Sequence, residues 1–103
     1  MKALVAGVFV LCAASPALAQ EPAGKPIFER YCVPCHGDSV EAPGTLQLAR
    51  TRGADKRLLP GRRDLNAQYI EHVVRNGLRT MPPFVPSELT DEKLQALIAY
   101  LLQ

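Results

Sequence analysis

Cys32-Val33-Pro34-Cys35-His36 is the stretch on which the fold of this chain turns. Two thiols three residues apart, with an imidazole directly after the second, form the c-type haem attachment pattern. Each cysteine can add across one haem vinyl group as a thioether, and the adjacent histidine is then carried under the ring, where its imidazole reaches the iron. Five residues thus name a candidate cofactor, one covalently attached haem c, and one candidate axial ligand, His36. Other chemistries share these residues. Cys32 and Cys35 can form a structural disulfide in an oxidising compartment or a thioredoxin-like redox pair. A zinc site needs four ligands, and His72 is the remaining histidine that could join Cys32, Cys35 and His36. No β-branched, strand-like runs flank the motif as a thioredoxin-like pair would require.

Upstream of the motif, residues 1–19 read as a secretory signal. Lys2 supplies the basic start, Ala3 to Ala14 an apolar stretch, and Ala17-Leu18-Ala19 a small-x-small cleavage pattern before Gln20. Fifteen of these nineteen residues are apolar, but the run is shorter than the roughly 20 residues of a bilayer span, and Ser15-Pro16 closes it. Cys12 follows Leu11 rather than the small residue of a lipoprotein signal. Cleavage would leave one domain, residues 20–103, exported to the periplasm, with Cys32 and Cys35 as its cysteines and no further segment long enough to span a membrane. A domain of this length buries only roughly 60% of its unfolded surface, so a cofactor or cross-link is needed for a secure fold. This argues against a large enzyme with its own substrate domain.

Downstream, residues 20–103 contain a single methionine, Met81, within Arg79-Thr80-Met81-Pro82-Pro83-Phe84. Its soft thioether is the candidate sixth ligand to the iron, and opposite imidazole it would favour the reduced state. Pro82 and Pro83 stiffen the backbone after it and exclude a helix. The competing roles are a core-filling Met81 and ligation by His72, which sits on a helix with apolar face Ile70, Val73 and Val74.

Three main helices are expected in an all-α chain, separated by loops wrapped around the haem. Gly24 to Tyr31 carries Pro26 near its start, where a missing N–H is tolerated, and places Ile27, Phe28 and Tyr31 at helical spacing. A second helix starts at Asp64 or Asn66 and stops before Gly77, with Arg75 in its last turn. The third follows Thr90, has Asp91 and Glu92 at its positive end, and repeats Leu94, Leu97, Ile98 and Leu101 at three and four residues, a stripe that must be buried. Between Gly37 and Leu65, a stretch rich in Gly, Pro and charge, mainly loop is expected. There is no strand signal or internal repeat.

With these features together, the sequence resembles the class I monohaem cytochromes c. Gly24-Lys25-Pro26-Ile27-Phe28 is similar to the family's N-terminal helix and Leu97-Ile98-Ala99-Tyr100-Leu101 to the C-terminal helix that crosses it, which implies contacts among Gly24, Phe28, Leu97 and Tyr100. Pro43-Gly44 resembles the loop whose proline carbonyl accepts a hydrogen bond from the proximal imidazole, which would orient His36. His36 and Met81 are 45 positions apart, fewer than in mitochondrial cytochromes c, implying a shortened loop over the haem edge. The run Arg75-Asn76-Gly77 followed by Met81-Pro82 is similar to the small cytochrome subunits of p-cresol methylhydroxylase-type flavocytochromes, which oxidise alkylphenols. That resemblance implies an electron carrier, not an enzyme in itself, that accepts single electrons from an FAD-containing subunit and passes them to another periplasmic protein. Short cytochromes serving quinoprotein dehydrogenases and terminal oxidases share the same signature.

Charge adds less. The whole chain has 12 basic and 10 acidic residues, a formal +2, and no global field favours nucleic acid. Arg50, Arg52, Lys56, Arg57, Arg62 and Arg63 concentrate positive charge in the long loop, either to dock an acidic face of a partner or to lie solvated with an arginine or two on the haem propionates. Without interleaved aromatics, this is no nucleic-acid site. A haem enzyme or gas sensor would need Met81 to leave the iron, and no acid, base or guanidinium is evidently placed for peroxide chemistry.

Overall fold

The computed structural model describes residues 21–103 together with residues 3, 7, 10 and 13–16. Most of the expected signal, its cleavage site before Gln20 and Cys12 lie outside the described residues. Five α-helices follow in order: α1 Gly24–Tyr31, α2 Val33–His36, α3 Pro43–Arg52, α4 Ala67–Asn76 and α5 Asp91–Leu101, with a 3-10 turn at Ala54–Lys56 between α3 and α4. Among the described residues the sole β pairing is an isolated bridge between Leu78 and Met81, so the all-α architecture stands.

The core forms where α1, α4 and α5 meet. The α5 stripe is fully used: Leu94, Leu97, Ile98 and Leu101 are all buried, together with Phe28 of α1, Ile70 and Val74 of α4, and Leu89 from the segment before α5. Thr90 caps α5 by accepting the Lys93 amide at Oγ1, and the Asn66 side chain does the same for α4 at Tyr69, 2.8 Å away. Both caps satisfy amides that the first turn of a helix leaves unpaired.

Helices α1 and α5 cross at Gly24. A Cβ placed on this residue would stand 2.0 Å from the Ala96 carbonyl oxygen and 2.6 Å from Tyr100 Cβ, so hydrogen is the one side chain that admits the crossing. Next to it, Phe28 and Tyr100 pack with ring centroids 5.6 Å apart, a separation typical of favourable aromatic pairs. At the C-terminal end of α5, next to this crossing, the Gly61 amide donates to the Leu101 carbonyl at 3.1 Å, returning the connecting chain to the core.

The structure differs from the sequence expectation chiefly between Gly37 and Leu65. Most of this region is loop as expected, but it also holds a helix, α3. Pro43-Gly44, which the resemblance places in a loop, is a helix start, with proline in the first position, where its fixed φ and missing N–H fit. The helix buries only Thr45, so its sequence carries no apolar stripe at three- and four-residue spacing. The short α2 is also additional to the three main helices, and it continues α1 through Cys32.

Substituting Gly24 by alanine sets up to about 1 kcal/mol of gained helix propensity against a clash with backbone. Backbone cannot swing aside, so the steric cost prevails; the variant is expected to lose about 3 kcal/mol of stability in denaturant unfolding. A neutral or stabilising change would show that α1 and α5 do not cross this closely.

Candidate functional site

The candidate site begins with one turn of chain. Cys32 is the residue between α1 and α2, and its carbonyl accepts the amides of Cys35 at 3.1 Å and His36 at 2.7 Å. The motif is thereby wound into a helical turn that places both thiols and the imidazole on consecutive positions of one short segment. Both cysteines are free, Cys32 half-buried and Cys35 exposed. Burial, with a smaller push from Cys35, raises the Cys32 thiol to about 11. A redox-active pair needs the opposite, a thiolate stabilised near neutrality, so the thioredoxin-like alternative finds no support. The zinc alternative fails on geometry: among the described residues no three His, Cys, Asp or Glu side chains gather around a common point, and His72 is exposed on α4 beside Asn76, 3.3 Å from its amide nitrogen.

His36 lies half-buried, and its Nδ1 is fully enclosed without a hydrogen-bond partner. Burial lowers its pKa, which keeps the ring neutral and leaves a nitrogen lone pair for a metal. The bond from this ring to the Pro43 carbonyl, implied by family resemblance, is not formed in the structure; Pro43 is exposed and opens α3, where its carbonyl joins the helix's own ladder. The contact is made one residue later. A Cβ on Gly44 would fall 2.7 Å from the Cys35 carbonyl oxygen and 2.9 Å from His36 Cε1, so the start of α3 rests directly on the motif. Thr45 secures that contact from within, its hydroxyl donating to the Gly37 carbonyl at 2.7 Å in a fully buried setting.

Met81 arrives from the opposite end of the sequence. Its amide and carbonyl pair with Leu78 at 2.9 and 3.1 Å, a tight turn entered through Gly77 at φ +75° and Arg79 at φ +54°. Gly77 is required twice over: its φ favours glycine, and a Cβ would meet the Met81 carbonyl oxygen at 2.5 Å. An arginine in the left-handed region costs on the order of 1 kcal/mol, a strain that the surrounding turn holds in place. Beyond Pro82 and Pro83, the Phe84 amide donates to the Val74 carbonyl at 2.7 Å, and the Phe84 ring meets Tyr31 edge-on at 6.2 Å. Met81, Phe84, Leu59, Leu65, Tyr31 and Cys32 all pack against the core while staying partly open to solvent. A half-covered apolar rim, two free thiols, a neutral imidazole and a thioether form a donor set and a surface suited to a flat, largely apolar macrocycle with iron at its centre.

Half of the basic residues in the loop are ion-paired. Arg62 and Lys56 both meet Asp64, at 2.7 and 3.5 Å, and Arg57 meets Asp38 at 2.6 Å. The Arg62 guanidinium holds the Asp64 carboxyl well below the usual carboxylate range. Arg50, Arg52 and Arg63 form no ion pair among the described residues. Thr45 and Arg75 are the residues that sequence reasoning missed, because their partners are remote in the chain.

Comparison with known proteins identifies a cytochrome c-type domain. The family profile described as "Cytochrome C oxidase, cbb3-type, subunit III" matches residues 19–101. The chain is 32% identical over 95 residues to the 4-cresol dehydrogenase [hydroxylating] cytochrome c subunit of Pseudomonas putida, covering 92% of this chain and 72% of that protein. No solved structure gives a significant match. None of the described helices is long and apolar enough to cross a membrane.

Two neighbouring substitutions should differ in cost. Thr45→Val leaves the Gly37 carbonyl with the Ser39 amide, 2.9 Å away, so about 1 kcal/mol should be lost. Gly44→Ala forces α3 off the motif and should cost about 2 kcal/mol. Denaturant midpoints in the reverse order would contradict the packing of α3 on His36.

Proposed function

The chain belongs to the cytochrome c family whose profile is described as cbb3-type cytochrome c oxidase subunit III, and from that premise we propose that it relays single electrons through a haem ligated by His36 and Met81, drawing them from a flavoprotein subunit that oxidises alkylphenols. It is an electron-transfer domain with covalently bound haem c and iron. The haem supplies reversible one-electron exchange between ferric and ferrous iron.

The chain's own residues hold and tune that group. Cys32 and Cys35 tether it as thioethers, each S–H adding across one vinyl group. His36 would offer its neutral imidazole from the motif turn, where its Nδ1 is enclosed and has no hydrogen-bond partner. Met81 would offer a neutral sulfur to the same iron, which would favour the ferrous state and raise the potential. One observation carries this reading: a buried, unpartnered imidazole shares a single helical turn with two free thiols, while the chain's other candidate donor, Met81, stands on a braced loop against the same core. Ligands on fixed supports change little between redox states, which suits electron transfer rather than bond making.

The partner follows from the relative's printed name, the cytochrome c subunit of a hydroxylating 4-cresol dehydrogenase. Residues 1–19 are assigned as the export signal, which puts the domain of residues 20–103 in the periplasm, where a second redox protein takes the electrons onward.

Replacing Met81 by alanine should lower the potential and let exogenous ligands bind the iron; an unchanged spectrum and potential would remove Met81 as ligand. For the partner, mild affinity purification from the periplasm followed by absorbance spectroscopy decides. Flavin and c-haem bands in fixed ratio support the flavocytochrome assignment. Haem bands alone would overturn it in favour of a diffusible carrier between a quinoprotein dehydrogenase and a terminal oxidase.

A further inference from the structure

Arg75 sits in the last turn of α4, where a cation complements the helix dipole, but its guanidinium reaches much further. Nη1 donates to the carbonyls of Phe84 at 3.0 Å and Leu89 at 2.8 Å, and Nη2 to Asp91 Oδ1 at 2.6 Å. The arginine side chain is only 17% exposed, whereas the Asp91 side chain is 85% exposed. One planar fork thus joins the end of α4, the segment leaving Met81 and the first residue of α5.

The Met81 loop has few other ways to be held. Pro82 and Pro83 have no amide hydrogen to donate. The backbone of Met81 bonds only to Leu78, inside the same turn. Fastening to the rest of the protein comes at Phe84, whose amide donates to the Val74 carbonyl and whose carbonyl accepts from Arg75. Both faces of that residue are tied to the final turn of α4, and the two carbonyl bonds come from a charged donor, which makes them stronger than neutral ones.

We propose that Arg75 is a positioning residue for electron transfer: by clamping the carbonyls of Phe84 and Leu89 to the end of α4, it keeps the loop closed and the Met81 sulfur on the iron. This inference rests on Met81 being the sixth ligand. A lysine cannot replace the clamp, because a single ammonium on a flexible stem does not present donors in a fixed plane to three separated acceptors.

The test uses the holoprotein and imidazole as the probe. Exogenous imidazole can occupy ferric iron only when the thioether has left, so its binding rate reports loop opening. Ferric thioether ligation is followed in parallel by its long-wavelength charge-transfer band, and global stability by denaturant unfolding. Arg75→Lys should retain the band but speed imidazole binding at least about tenfold, the factor that corresponds to losing one hydrogen bond from a charged donor. Asp91→Asn, which leaves both carbonyl bonds intact, should speed it less. Ile98→Val, which trims the core and removes none of the Arg75 hydrogen bonds, supplies the comparison for a general loss of stability. Equal rates in Arg75→Lys and Ile98→Val, or a rate in Arg75→Lys equal to that of the unaltered protein, would overturn the clamp. If the unaltered protein lacks the thioether band, or Met81→Ala keeps it, the ligation itself is wrong and the clamp falls with it.

Discussion

At Gly24 the backbone of α1 lies so near the Ala96 carbonyl of α5 that no side chain fits between them, and this contact fixes the positions of most other elements. It sets Phe28 against Tyr100 and aligns the α5 stripe with α1 and α4. Because α1 runs almost directly into Cys32 and the motif turn, its placement also fixes where the thiols and His36 stand relative to the core. A chain this small has little apolar surface to bury. Two helices in near backbone contact let a handful of leucines do the work of a larger core, with Leu89, Leu94 and Leu97 each only 1% exposed.

The two sides of the candidate site are built on different principles. On the histidine side everything is local: the turn closes on the Cys32 carbonyl, and α3, beginning seven residues after His36, lays Gly44 on the ring. On the methionine side nothing is local beyond one tight turn. Met81 owes its position to Gly77, to the end of α4 and to the beginning of α5. Rigid placement of both proposed ligands is what an electron carrier requires, since each rearrangement between oxidised and reduced states slows transfer.

This division explains what could be read in advance. Helix α5 was legible because a four-residue apolar stripe, an N-cap and acidic first-turn residues all agree, and α4 because Asn66 and Gly77 bracket an apolar face. The motif and Met81 were legible as single residues whose chemistry has few uses. Helix α3 was not, because it buries one threonine and carries no stripe for periodicity to detect; its opening proline and glycine also suit a turn. Arg75 looked like an ordinary helix-end cation, since its acceptors lie nine to sixteen residues away, in the irregular segment after Met81 and at the start of α5. The bond implied for Pro43 was an inference by likeness; in the structure Pro43 opens α3 and the His36 Nδ1 has no hydrogen-bond partner.

The distance in sequence between the crossing residues bears on the order in which the molecule assembles. Contacts within the motif turn span four residues, while Gly24 and Ala96 are separated by most of the domain, so closing the ends is entropically the more expensive and slower event. During synthesis the motif is therefore complete while the Met81 loop and α5 have yet to arrive. A chain in that half-made state offers both thiols and the imidazole from an open side, and the later arrival of the C-terminal helix shuts the site around whatever has been attached there.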